Sequence, residues 1–289
     1  MSDLLAHSDS HQVSSIALPE TAPALSARLR SLTPARVAMQ RAGNSAATSE
    51  VLDFQLAHGR ARDAVHAPLQ PTSLAATLRD LATGGDTAAG LIAAASPLLL
   101  HSQAIDRRTY LQRPDFGRRL IDPSREQLRA VVESSGQGHD LSIVLADGLS
   151  SLAVERHAVP LLAALFRQLA PGSLRISPLC IVQQARVAIG DEIAAAFSAS
   201  LVIVLIGERP GLTSPDSLGA YITWDPQPGR TTDAERNCIS NIRAEGLSYD
   251  DAGSRLFHYI QEARKKRVTG VALKDPELAP ALPQPGGRP

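Results

Sequence analysis

The strongest constraint on the fold is the run Leu201 to Ile206, LVIVLI, which passes directly into the loop GERPGL ending at Leu212. Six consecutive aliphatic residues without alternation leave no face for water. The segment therefore reads as a strand covered on both sides, as in the middle of a parallel α/β sheet. Ligands of such sheets gather beyond the carboxyl ends of the strands. The polar loop would carry Glu208 and Arg209 into that crevice, on a backbone that two glycines and a proline can bend sharply. The pattern alone names no ligand.

The surrounding sequence supports the same class. From Asp122 onward, strand and helix patterns alternate. Asp122 and Pro123 open a helix to about Ser134, with Leu128, Val131 and Val132 inward. Gly136 to Gly138 form a turn, Leu141 to Ala146 a strand, and Ser150 to Ala170 a helix broken or kinked near Pro160. Strands follow at Leu174–Val182, Leu201–Ile206 and Gly219–Trp224, with a short helix at Asp191–Ala199. Thr231 to Ile242, dense in hydroxyls, carboxylates and amides, reads as a loop. Ser248 caps a last helix whose Ala252, Leu256, Tyr259, Ile260 and Ala263 share one face. This alternation predicts a Rossmann-like, doubly wound, mainly parallel sheet over 122–273.

Residues 31–121 read as mainly helical, with a helix between Thr48 and Val65 and short helices from Leu74 to Leu100 divided by Gly84, Gly85 and Pro97. The Ser-, Ala-, Pro- and His-rich stretch 1–30 and the proline-rich tail 274–289 read as disordered.

Composition removes several function classes. The 29 basic residues balance 29 acidic ones, so no net field draws the chain to nucleic acid or anionic lipid. Aromatic residues make up 3%, too few for a base-stacking surface. No run reaches the roughly 18 apolar residues of a membrane span, and the first residues lack a secretory pattern. Two cysteines, Cys180 and Cys238, cannot build a disulfide framework and fit a reduced, cytoplasmic setting.

Candidate chemistry is sparse. Asp147, Ser150 and His157 suggest a hydrolase, although DGLSS is not the Gly-x-Ser-x-Gly elbow. Asp147 reads equally as a helix cap or turn former, or as a second carboxylate lining the same crevice as Glu208. Glu208 reads either as a ligand contact or as the partner of Arg209 or another arginine. The histidines make no HExxH or helical pair, and no strand leads into GxGxxG or GxxxxGK[ST]. Cys238 reads as a small buried hydrophobe or as a thiol needing a base that the sequence does not identify. Arg113, Asp115, Arg118 and Arg119 form a charge-dense segment suited to a network or an interface, and Arg264 to Arg267 a solvated helix end.

Several motifs then converge on one family. TPARV (Thr33 to Val37) with RAG (Arg41 to Gly43), LQRPDFGRRL (Leu111 to Leu120), ADGLSS (Ala146 to Ser151), ARVAIGDEI (Ala185 to Ile193), VLIGERPGL (Val204 to Leu212) and RNCISNI (Arg236 to Ile242) occur in order. Together they resemble the small subunit of adenosylcobalamin-dependent ethanolamine ammonia-lyase, from about Thr33 to Ala272. The resemblance implies a carbon–nitrogen lyase subunit working in a hetero-oligomer with a large catalytic subunit. That partner would hold ethanolamine for radical conversion to acetaldehyde and ammonia. It also implies a cobalamin between the chains, with Val187, Glu208 and Cys238 as this chain's cofactor contacts, no catalytic residue of its own and no protein-held metal. The cobalamin-domain pattern DxHxxG is missing, so the cofactor's own base is expected to stay on cobalt. The N-terminal stretch does not match the targeting extension of family members that enter protein-shelled microcompartments, which favours a cytoplasmic location.

Overall fold

The computed structural model describes residues 22–33, 35–83, 96–136, 138–169 and 174–273. The chain divides into two units, the first ending at Gln55 and the second beginning at Leu56.

In the first unit, helix α1 (Ala22–Ser31) lies within the stretch whose composition suggests no order. A two-stranded hairpin follows, β1 (Arg41–Ala42) and β2 (Ser45–Ala46). Glu50, in the first turn of helix α2 (Thr48–His66), organises this unit: its Oε1 accepts from Arg30 and from the backbone N–H of Gln40 at 3.0 Å. The helix expected between Thr48 and Val65 is present, and its apolar residues Val51 and Phe54 are exposed.

The second unit is built on a six-stranded sheet in the order β3-β5-β4-β6-β7-β8. Its strands are β3 (Leu98–His101), β4 (Leu141–Ala146), β5 (Cys180–Gln183), β6 (Leu201–Gly207), β7 (Leu218–Trp224) and β8 (Arg236–Ile242). The first four in spatial order are parallel, and β7 runs antiparallel to both β6 and β8. The fold is thus α/β with a mixed, mostly parallel sheet. The expected mainly parallel alternation of strand and helix stops at β6, because only residues 208–217 separate β6 from β7. Ten residues are too few for a crossover helix, which needs a dozen or more.

Strand β6 is buried along its whole length, as its composition requires. Leu201, Ile203 and Leu205 enter one core with helices α3 (Pro71–Thr83), α6 (Ser151–Phe166) and α8 (Tyr249–Lys266). Val202, Val204 and Ile206 enter the other with α5 (Asp122–Ser135) and α7 (Ile189–Ala196). Helix α6 continues through Pro160 without a break. Helix α8 is capped by Ser248, and its five expected inward residues are all buried. No described helix is long and apolar enough to cross a membrane.

Three assignments change. Leu98–His101 is an edge strand rather than helix, pairing in parallel with β5. Leu174–Val182 shrinks to Cys180–Gln183, with Ile176 contributing only a single bridge to Leu141. Arg236–Ile242 is an edge strand rather than loop, because Ile239 and Ile242 face the core while Cys238 and Ser240 remain exposed. An edge strand with one open face carries few apolar residues and so imitates a loop in sequence. The expected turn residue Gln137 and the dividers Gly84 and Gly85 fall outside the described residues, as do 1–21 and 274–289.

The loops leaving β4 and β6 touch, and two glycines permit it. Gly148 has φ +58°, and a Cβ on Gly207 would lie 1.9 Å from the Ser150 carbonyl oxygen. Gly207→Ala is therefore expected to destabilise the fold by about 3 kcal/mol or more, above the usual cost of overpacking because the clash is with backbone. Urea unfolding checks this; an unshifted midpoint would show that the loops separate easily.

Candidate functional site

Two crevices are conceivable at the carboxyl ends of the strands. The first lies between β4 and β5, whose outgoing helices α6 and α7 leave to opposite faces of the sheet. Its own side chains fill it. The buried Asp147 carboxylate accepts from the backbone N–H groups of Gln184 (2.8 Å) and Ala185 (2.9 Å). Arg107, the first residue of the short helix α4 (Arg107–Gln112), donates to the carbonyl of Gly148 at 2.8 Å and to Gln184 Oε1 at 3.3 Å. Arg107 and Arg186 both lie over the buried ring of Tyr110, at 4.6 and 4.1 Å from its centroid. Burial pushes the Asp147 carboxyl up, against the pull of the two backbone donors and Arg107. Asp147 is thus a clamp between strand ends. It neither caps its following helix nor lines a crevice with Glu208.

The hydrolase arrangement is also absent. Ser150 Oγ donates to the carbonyl of Pro215 at 2.8 Å. His157 Nδ1 shares a hydrogen bond with the Tyr249 hydroxyl at 2.8 Å, and its Nε2 stands 3.4 Å from Asp216. Each of Asp147, Ser150 and His157 has separate partners, so no nucleophile–base relay exists. Together with an ion pair of Asp216 and Arg156 at 2.7 Å, these contacts pin the loop between β6 and β7 onto α6.

The second region is the sheet face beside α7, over the end of β6 and along β7 and β8. Alternation along the strands places Glu208, Gly219, Tyr221 and Cys238 on this one face. Glu208 Oε2 accepts from the Ser217 hydroxyl and from the backbone N–H of Asn241 at 3.2 Å. A register shift opposite Leu218 and Ala220, with Asn241 at φ +61°, turns that N–H toward the carboxylate. The carboxylate lies across Gly219, where a Cβ would meet Oε1 at 3.1 Å. Oε1 itself accepts no hydrogen bond from a described residue, and neither Arg209 nor another arginine pairs with Glu208.

Cys238 sits directly opposite Tyr221 in the ladder and is exposed, contrary to the expectation of a buried hydrophobe. Its sulfur is 3.4 Å from Ser240 Oγ. Partial desolvation raises the thiol pKa, and the Glu208 carboxylate adds in the same sense. The thiol stays protonated at neutral pH and is a contact surface rather than a nucleophile.

Val187, half-buried ahead of α7, packs against the core on this side of the sheet and lines a cleft of about 450 Å³ together with Arg236. Arg236 precedes Cys238 by two residues on the same face, roughly 7 Å away along the strand. A buried fork fixes the two sides: Arg236 donates to Asp191 at 2.8 and 2.7 Å and to Thr223 at 3.0 Å. The structure therefore brings Glu208 and Cys238 onto one face and places Val187 at its border. Gly219, Tyr221 and Ser217 complete it. Sequence reasoning missed all three, because their common face follows from the pairing of β6 with β7 and of β7 with β8.

A family model for "Ethanolamine ammonia-lyase light chain (EutC)" matches residues 24–274. The chain belongs to the ethanolamine ammonia-lyase light-chain family. The ethanolamine ammonia-lyase small subunit of Xanthomonas campestris pv. campestris (strain B100) is 51% identical over 256 residues, 89% of each chain. Those of Pseudomonas fluorescens (strain Pf0-1) and Azotobacter vinelandii are 49% and 50% identical, covering 90% of both chains and 86% and 87% respectively. Within this light-chain family member, the Ser150 and His157 contacts are structural supports of the loop that follows Glu208.

The His157 contacts carry a pH dependence. Burial lowers the His157 pKa below its ordinary 6.5, with Asp216 opposing. Below about pH 6.5 the unfolded chain takes up this proton first, so the stabilising difference is complete above 6.5 and is lost on acidification. Thermal midpoints compared at pH 7.5 and 5.5 should fall further for the parent chain than for His157→Gln. Equal falls would remove His157 as the source.

Proposed function

We propose that this chain is the cofactor-holding small subunit of an ethanolamine ammonia-lyase, binding adenosylcobalamin with Val187, Glu208 and Cys238 against a large catalytic subunit. The reading is supported by family membership and by one geometric fact: the Glu208 carboxylate is held in place through one oxygen while the other accepts no hydrogen bond from a described residue. Bound adenosylcobalamin supplies the radical chemistry that converts ethanolamine to acetaldehyde and ammonia; substrate would be held by the large subunit.

The chain's residues suit a broad, flat, amide-fringed ligand. Ser217 and the Asn241 N–H orient Glu208, so that Oε1 can accept from an amide N–H at the corrin edge without reorganising. Gly219, lacking a side chain, lets the carboxylate lie flat on the sheet. Tyr221 and Cys238 form a level floor, and a protonated thiol brings no charge to it. Val187 gives an apolar border. Together these groups bind, orient and exclude water, and none is placed to move a proton.

The test is co-expression with the large subunit. Lyase activity should require both chains and adenosylcobalamin. In that complex Glu208→Ala should raise the Kd for adenosylcobalamin between about tenfold and a hundredfold, the worth of one hydrogen bond to a charged group. An unchanged Kd, with the complex intact, would withdraw the Glu208 contact.

A further inference from the structure

The stretch from α1 to the first turns of α2 has apolar side chains but no apolar core. Over residues 24–55, Glu50 is the only buried side chain among the described residues. Leu25 and Leu29 of α1 and Leu32 just after it recur at helical spacing, and all three are exposed, Leu32 at 75%. Met39, Val51, Leu52 and Phe54 are exposed as well, so this stretch carries seven of the eleven large apolar side chains exposed among the described residues. What ties it together is polar. Arg30 donates to the Glu50 carboxylate and Arg36 to the Glu50 backbone carbonyl, which joins the end of α1 to the start of α2.

Such a stretch does not account for its own order. A ten-residue helix is marginal in water, and so is a lone two-stranded hairpin. Exposed apolar side chains gathered in this way mark a surface that another body covers. Their rim is basic: Arg28, Arg30, Arg36 and Arg41 outnumber Glu50 and Asp53, the acids of the same stretch. An apolar centre with arginines beside it is the composition of a protein–protein interface.

The position of these residues argues for one occupant. The family match begins at residue 24, so the leucines lie inside the stretch matched to ethanolamine ammonia-lyase light chains, whereas residues 1–21 precede it. A light chain is by its name one part of a pair. We infer that Leu25, Leu29, Leu32, Val51 and Leu52 form a docking surface for the large subunit, whose matching patch is apolar with carboxylates at its rim. The inference rests on the two-chain reading proposed above. Val187, Glu208 and Cys238 all lie outside this stretch, so holding the partner and holding the cofactor fall to different residues of the chain.

The experiment measures association of the two chains by analytical ultracentrifugation, alongside urea unfolding of the free small chain. Leu29→Glu and Leu52→Glu, both at exposed positions, should each raise the Kd for the large subunit about tenfold or more, because a carboxylate would be buried against an apolar, acid-rimmed patch. Leu29→Met should keep the parent Kd, and the urea midpoint of the free chain should be the same in all variants. An unchanged Kd when both leucines are replaced by glutamate overturns the inference. A fall in the free chain's urea midpoint in Leu29→Glu would assign the face to another segment of the same chain and also overturn it. So would a free parent chain that sediments as a dimer and becomes a monomer in Leu29→Glu, because the face would then belong to a second copy. If the parent chains do not associate at all, the two-chain reading falls with the inference; if they associate and the variants bind equally well, the inference alone falls.

Discussion

The buried fork between Arg236 and Asp191 is the constraint on which the site depends. Helix α7 follows β5, in the parallel half of the sheet, whereas β8 is the far edge of the antiparallel half. The fork is the direct charged tie between them, and both side chains are almost fully withdrawn from water. A buried ion pair contributes little net stability against an apolar alternative, but losing one partner strands a charge at about 3 to 5 kcal/mol. Its value here is positional. It holds the start of α7, with Val187, beside the strand that carries Cys238, and so sets the border of the open face.

The open face itself follows from the change of strand direction. After β6 the chain returns in ten residues, and no crossover helix is laid over β7 and β8 on the α7 side. A parallel continuation would have covered that face with a helix. The antiparallel turn leaves Cys238 exposed and Tyr221 half-buried beside it, and lays Glu208 over the buried Gly219. Polar contacts of Ser150, Asp216 and His157 then brace the returning loop from the other side of the sheet, which explains why residues that suggest hydrolysis are structural.

Much of this was legible from sequence where burial imposes a period. The unbroken β6 run and the five-residue face of α8 could be read because both are fixed by a core on known sides. Edge strands β3 and β8 were not legible. In β8 the polar half of RNCISNI faces water, which removes the apolar signal, whereas β3 is a four-residue run, LLLH, too short for periodicity to separate strand from helix. Asp147 was misplaced for a different reason: its partners, the N–H groups of Gln184 and Ala185, lie more than thirty residues away, and no local pattern reveals them. Glu208 stood out from the loop that ends the β6 run, its grouping with Val187 and Cys238 came from motif resemblance, and the glycine and tyrosine that share their face needed the register of β6, β7 and β8.

On the proposed reading, the chain holds the cofactor and leaves the reaction to the large subunit. The most direct measurement is alkylation of Cys238 in the two-chain complex, followed by mass spectrometry, with the buried Cys180 as internal control. The account predicts that Cys238 is modified in the complex without cofactor and protected once adenosylcobalamin binds. Protection already complete without cofactor, or modification undiminished with cofactor bound, would contradict it.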